Sequence, residues 1–236
     1  MSARPAPNVV VFDCDGVLID SNRLKISLFR ETLERAGFAA PDIERFAAFQ
    51  AASFGMSRYR LFDALLGWDL SHRPAVARDD LVATYAGLLR DKYVAVLPTP
   101  GMQEVVASLE VDCDLYVVSG SDQSELREVL RERGEADPFR MILGSPATKE
   151  ANLRLVLDDV RRRHGMAEPA RIVFVGDAEA DFRAAEAHGL RFVYMDAYST
   201  AQQRMRALAS IHGFPVIADL RELRAAIEPS LLSEGI

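Results

Sequence analysis

Short apolar runs recur along the chain, each ended by a turn-forming or charged residue. Asn8-Val-Val-Val-Phe12 is the first, and Leu115-Tyr-Val-Val118, Met141-Ile-Leu143, Arg171-Ile-Val-Phe-Val175 and Arg191-Phe-Val-Tyr-Met195 repeat the pattern. Runs that are apolar throughout, rather than alternating, suit strands covered on both faces. Between them the apolar spacing lengthens to that of a helix. Leu126, Val129 and Leu130 share a face within Glu125 to Gly134, and Leu153, Val156, Leu157 and Val160 do so within Ala151 to Gly165. Strand and helix alternate, which predicts an α/β fold built on a doubly wound parallel sheet.

One stretch breaks the alternation. From Ser21 to about Leu97 there is no buried-strand pattern, and the apolar positions (Leu24, Leu28, Phe29 and Leu33, then Tyr59, Leu61, Phe62, Leu65 and Leu66) fall at helical spacing. This predicts an α-helical insertion over residues 21–97, with residues 1–20 and 98–236 forming the core. Pro98-Thr-Pro100-Gly101 marks the re-entry, since two prolines and a glycine end a helix and stiffen the chain.

With 236 residues, 49% of them hydrophobic, the chain is long enough for a catalytic core and a smaller accessory domain. A net charge of -7 offers no basic field for nucleic acid or an anionic membrane, so neither is expected as a partner. Two cysteines, Cys14 and Cys113, make no disulfide framework and have no metal-ligand spacing. No run approaches the roughly 18 apolar residues of a spanning helix, and Met1 to Asn8 carries no secretory pattern. A cytoplasmic location is therefore expected.

The candidate chemistry lies at the ends of the predicted strands, where open parallel sheets collect their ligands. Asp13-Cys14-Asp15-Gly16 follows the first run. Two carboxylates leaving a strand can divide a phosphoryl transfer between them, with Asp13 attacking phosphorus and Asp15 acting as acid and base. Ser119-Gly120, after the next strand, offers a hydroxyl and backbone N–H groups to phosphate oxygens, beside a helix N-terminus. Lys149, where another helix opens, can bridge phosphate and the nucleophilic carboxylate. Asp177, ending the strand Ile172 to Val175, would complete an oxygen-rich Mg²⁺ site with Asp13 and the Asp15 carbonyl. Asp181, one helical turn on, is placed to support that site, while Glu179 between them is expected in solvent. Each element alone is an ordinary surface feature; four in order, converging on one sheet edge, are not.

At these residues the chain resembles the haloacid dehalogenase-like hydrolase superfamily, through Asp13-Cys14-Asp15-Gly16-Val17, Ser119, Lys149 and Gly176-Asp177-x-x-x-Asp181. The resemblance implies an aspartyl-phosphate intermediate, Mg²⁺ held by Asp13, the Asp15 carbonyl and Asp177, and a phosphate cradle of Ser119 and Lys149. It also implies that the insertion is a helical cap that selects the substrate. Dehalogenases of the superfamily lack a carboxylate at the position of Asp15, which disfavours dehalogenation. Gly55-Met56-Ser57-Arg58 is similar to the sugar phosphomutase branch, where a cap arginine contacts a distal phosphate, so Arg58 is the candidate for substrate recognition; the alternative is a solvent-facing helix arginine. Lys25, where that branch carries histidine, and Gly176-Asp177, in place of its Glu-Asp, depart from it.

The expected function is thus hydrolysis of a small phosphorylated metabolite, a sugar phosphate or a phosphoglycolate-like acid, with Mg²⁺ as cofactor. The alternatives are a sugar phosphomutase and a non-catalytic phospho-accepting module. Other conspicuous residues are expected to be structural: Cys14 as packing, His72, His164, His188 and His212 as scattered polar groups, and Arg161, Arg162 and Arg163 as favourable charge at a helix C-terminus. Trp68, Phe46, Phe49 and Phe54 are expected to form the insertion's core, with Phe54 the one that could instead face substrate.

Overall fold

Val9, Val10, Val11 and Phe12 are all fully buried, as an unbroken apolar run requires when both faces of its sheet are covered. In the computed structural model, which describes residues 8–53 and 55–228, they form the central strand β1 (Val9–Phe12). The other strands are β2 (Asp114–Asp122), β3 (Phe139–Ser145), β4 (Ile172–Gly176), β5 (Arg191–Met195) and β6 (Val216–Ile217). The order is β3-β2-β1-β4-β5-β6, every pairing parallel. After β1 the chain builds outward through β2 and β3 on one side, then returns to build β4, β5 and β6 on the other. The carboxyl end of β1 is therefore the switch point where a ligand crevice opens.

Alternate residues of each strand serve opposite faces. Val10, Phe12, Val117, Val173 and Val175 join a core with helices α5 (Met102–Glu110), α6 (Gln123–Glu132) and α10 (Leu223–Ile227). Val9, Val11, Tyr116, Val118 and Phe174 join another, beneath α7 (Lys149–His164), α8 (Glu179–Ala187) and α9 (Gln202–His212). Two helices begin earlier than their apolar spacing predicts, because a polar residue caps each. The Asp122 carboxylate accepts from the Glu125 N–H at 3.0 Å and the Thr148 hydroxyl from the Ala151 N–H at 3.2 Å. The sixth strand was absent from the sequence reading; two residues are too few to carry a period.

Between β1 and β2 stand α1 (Asn22–Arg35), α2 (Ala40–Ala52), α3 (Arg58–Leu66) and α4 (Arg78–Val94). Their apolar faces meet in an aromatic cluster. Phe29 lies 4.2 Å from Tyr85 and 5.4 Å from Phe62 between ring centroids, and Trp68 lies 5.4 Å from Phe49 and 6.3 Å from Phe46. Phe54 lies outside the described residues. The two ends of the insertion are stitched to the turn after β1: the Asp20 N–H donates to the Leu97 carbonyl at 3.1 Å, the Thr99 N–H to that of Leu18 at 3.0 Å and the Thr99 hydroxyl to that of Val17 at 2.5 Å. No helix among the described residues is long and apolar enough to cross a membrane.

Candidate active site

Asp13 is the first residue past β1, and its N–H still donates to the Val175 carbonyl at 2.9 Å, so the ladder fixes where its carboxylate stands. One of its oxygens accepts from the Cys14 N–H at 2.7 Å; the other lies 3.0 Å from the Lys149 ammonium. Lys149, the first residue of α7, also pairs with Asp181 on α8. Asp181 accepts in addition from the Ala178 N–H at 3.1 Å, so both its oxygens are committed. Asp177 is fully buried: one oxygen accepts from the Asn22 amide at 2.7 Å and the other has no donor.

Three buried carboxylates thus face one ammonium, with ligand oxygens of Asp13, Asp177 and Asp181 all within 4.8 Å of one another. Burial, helped by the Asp181 and Asp15 carboxylates and opposed by Lys149, raises the Asp13 carboxyl to about 7. Asp177 is pushed well above the carboxylate range by burial and by its Asp13 and Asp181 neighbours. A divalent cation fits this set. It would answer the orphaned Asp177 oxygen, offset charge that one lysine leaves unbalanced, and find the all-oxygen donors that Mg²⁺ prefers. Asp13 and Asp177 have oxygens to give it. Asp181, spent on Lys149 and Ala178, holds the lysine in place.

The turn that carries Asp15 depends on glycine. Gly16 has φ +77°, and a Cβ there would lie 2.3 Å from both the Asp177 carboxylate and the Asn22 amide. Gly120 is equally constrained, because a Cβ would lie 2.7 Å from the Gly55 carbonyl of the insertion. That close approach brings the α2–α3 turn down onto the end of β2.

Ser119, Gly120 and Lys149 line a cavity of about 70 Å³ together with Asp13, Asp15 and Arg58. A water needs roughly 10–15 Å³, so the space has room for a phosphate-sized group. Its far wall comes from the insertion: Ile26 and Phe29 of α1, Leu61 of α3 and Tyr85 of α4. Past Gly55 and Gly120 it adjoins an outer cleft of about 340 Å³ that Lys149 also lines.

Asp15 does not reach into the three-carboxylate group. Its side chain takes the Lys25 ammonium at 2.7 Å, the Ser121 hydroxyl at 2.7 Å, the Tyr93 hydroxyl at 2.8 Å and the Ser21 hydroxyl. Burial alone would raise its carboxyl, but Lys25, with the hydrogen bonds from Ser21 and Ser121, outweighs burial and brings it down to about 2. Of these donors the sequence named Lys25 alone, as a departure from the phosphomutase branch; Ser21, Tyr93, Ser121 and Asn22 were not proposed as site residues. Two carried a signal: Ser121 repeats Ser119 at strand period, and Lys25 repeats Ser21 at helical period. Tyr93 and Asn22 carried none.

Arg58 is neither solvent-facing nor free. Its side chain is 4% exposed, bound through both terminal nitrogens to Glu125 at 2.9 and 2.6 Å, and lies 4.6 Å over the Tyr85 ring. Glu179, expected in solvent, instead pairs with Arg183 at 3.3 Å and with Arg204. The histidines lie apart from the cavity; His164 pairs with Asp114 at 2.8 Å and His188 bonds the Glu150 carbonyl at 2.9 Å. Cys14 is fully buried, with its sulfur 3.6 Å from the Tyr93 hydroxyl.

A doubly wound parallel sheet with a lysine-bridged acidic group at its switch point has the architecture of a hydrolase of the α/β class. More narrowly, the chain belongs to the haloacid dehalogenase-like hydrolases, whose family model matches residues 10–195. It is similar to the tyrosine-protein kinase PtkA of Mycobacterium tuberculosis, at 26% identity over 208 residues. The match covers 80% of this chain but 62% of PtkA, so the chain spans about three-fifths of that relative's length. Among solved structures it resembles a predicted phosphatase from Clostridium acetobutylicum, with TM-score 0.73 and 18% identity over 94% of this chain and 98% of the other. It also resembles CbbY from Rhodobacter sphaeroides in complex with phosphate, with TM-score 0.71 and 18% identity over 92% and 96%. These structural likenesses concern the fold.

Proposed function

We propose that the protein is a Mg²⁺-dependent phosphatase that hydrolyses a small phosphorylated metabolite through an aspartyl-phosphate on Asp13. The observation that carries this reading is the Lys149 ammonium, 3.0 Å from Asp13 and paired with Asp181, at a phosphate-sized cavity that Ser119 and Gly120 also line. An Asp13 oxygen bonds to phosphorus as the bond to the ester oxygen breaks; water then attacks the same phosphorus, releasing phosphate and restoring the carboxylate. Ser119, Gly120 and Lys149 hold the oxygens that do not transfer. When bound, Mg²⁺ would neutralise charge spreading over the phosphoryl group, held by Asp13, the Asp15 carbonyl and the donorless oxygen of Asp177.

Asp15, expected in both proton-transfer roles, is ionised in this arrangement, which suits taking the proton of the attacking water. Donating to the leaving oxygen requires Lys25 to withdraw first. Helices α1–α4 act as a cap. The cavity meets the outer cleft of about 340 Å³ at Gly55 and Gly120, and movement of the cap would open that path to load substrate and close it to exclude water.

The test is phosphate release from a panel of phosphorylated metabolites and p-nitrophenyl phosphate, with and without Mg²⁺, for the wild type and Asp13→Asn. Metal-dependent release that the variant loses is expected; an active Asp13→Asn variant would overturn the reading. Isomerisation of a sugar phosphate with little free phosphate would select the phosphomutase instead. The similarity to PtkA favours one further reading, in which a protein tyrosine takes the phosphoryl group in place of water. Transfer of label from ATP to a tyrosine-bearing protein, lost in the same variant, would select it.

A further inference from the structure

We propose that Glu125 and Asp122 make the enzyme selective for esters whose leaving group carries no negative charge, an inference that rests on the phosphatase reading. Ile26, Phe29, Arg58, Leu61 and Tyr85 of the insertion line the cavity that Ser119 and Lys149 share, and on this reading the leaving group of a phosphate held there is set against them. The insertion's cations among the cavity's lining residues are Lys25, bound to Asp15 at 2.7 Å, and Arg58, and the charge of each is already spent. Both terminal nitrogens of Arg58 are bound to Glu125, at 2.9 and 2.6 Å, with the guanidinium buried against Tyr85. Asp122, which like Glu125 is not among the cavity's lining residues, adds a second carboxylate near Arg58, held at 2.7 Å by the Tyr59 hydroxyl and close enough to act on its charge.

Two carboxylates therefore surround one guanidinium, and the balance there is negative. A leaving group bearing a carboxylate or second phosphate would have to compete with Glu125 for a buried bidentate partner. Having displaced it, the anion would leave Glu125 uncompensated beside itself. The remaining wall penalises an anion as well, since Ile26, Phe29, Leu61 and Tyr85 present mostly hydrocarbon. A neutral polyol meets neither cost, and Gln50 and Ser53 on the same wall can bond its hydroxyls. Specificity is a difference between affinities, and a misplaced charge is an effective way to reject. Of the two substrate types expected from sequence, this retains sugar-phosphate-like esters and discards phosphoglycolate-like acids.

Glycerol 3-phosphate and 3-phosphoglycerate are matched three-carbon probes that differ in leaving-group charge. In the wild type, kcat/KM for glycerol 3-phosphate should exceed that for 3-phosphoglycerate at least tenfold. Glu125→Gln frees Arg58 while keeping side-chain shape, and should move the ratio at least tenfold toward the acid. The wild-type ratio decides the matter even if the variant folds poorly. A wild-type preference for 3-phosphoglycerate, or a folded Glu125→Gln variant with an unchanged ratio, overturns the inference and leaves the phosphatase standing. Release from no ester, p-nitrophenyl phosphate included, overturns the phosphatase reading itself.

Discussion

Replacing Lys149 by methionine removes the one cation among three buried carboxylates while keeping most of the side chain's volume. The ammonium pairs with both Asp13 and Asp181, and all three groups are at most 6% exposed, so solvent cannot take over its role. Deleting one partner of a buried ion pair costs about 3–5 kcal/mol. For a domain of this size each kcal/mol moves the melting temperature by about 2–4 °C, which places the expected loss at roughly 6–20 °C. The loss should depend on pH, with a definite sign. Asp13 already has its carboxyl raised to about 7 in the folded protein, and without Lys149 it rises further. A group raised on folding contributes stability in its protonated form, fully present below its unfolded value and lost as pH rises through the folded one. The gap between wild type and Lys149→Met, measured without metal by thermal melts, should therefore be smallest near about pH 5 and largest near about pH 8. A variant that melts within about 2 °C of wild type at the higher pH, or a gap that does not narrow on acidification, would refute this account.

Other outcomes follow from the same group of residues. Asp13→Asn should cut phosphate release by about a thousandfold or more while raising the metal-free melting temperature, because it removes a buried charge but keeps the shape; scanning calorimetry and a phosphate assay read both. Mg²⁺ affinity should fall by at least about tenfold for each pH unit below about 7, since protons on Asp13 and on Asp177 must leave before the ion enters. Calorimetric titrations across that range would show the slope, and a flat profile would exclude the coupling. Gly16→Ala should destabilise by about 1–2 kcal/mol through its φ of +77° alone. It should also weaken Mg²⁺ binding, because the new methyl would collide with the Asp177 carboxylate 2.3 Å away; normal affinity would show that the turn yields instead.

The arrangement around Asp15 ties the chemistry to the insertion. Ser21 and Lys25 come from where the insertion begins and Tyr93 from where it ends, while only Ser121 comes from the sheet. Lifting the helices would loosen three of the four donors on that carboxylate. Asn22, next to Ser21, donates to Asp177 at 2.7 Å and to the Tyr198 carbonyl at 2.9 Å, so the start of the insertion also touches the three-carboxylate group.

Much of this protein was legible in the order of its residues. An unbroken apolar run such as Val9 to Phe12 has no polar face to offer water, and its regular alternation with helical periods leaves a two-sided parallel sheet as the economical solution. Because ligands gather at strand ends, Asp13, Ser119, Lys149 and Asp177 could be named from position alone, and the fold brings these four together. Tertiary structure decided what those residues are partnered with. Asn22 on Asp177 and Tyr93 on Asp15 arise from contacts across 155 and 78 residues, and no local period records them. Arg58 shows the difference most directly: its place was readable, but its charge depends on Glu125, 67 residues away and brought to 2.6 Å only by packing the insertion on α6. Local patterns report which face a side chain occupies; the charge it finds there is set by segments that are distant in sequence and adjacent only in the folded chain.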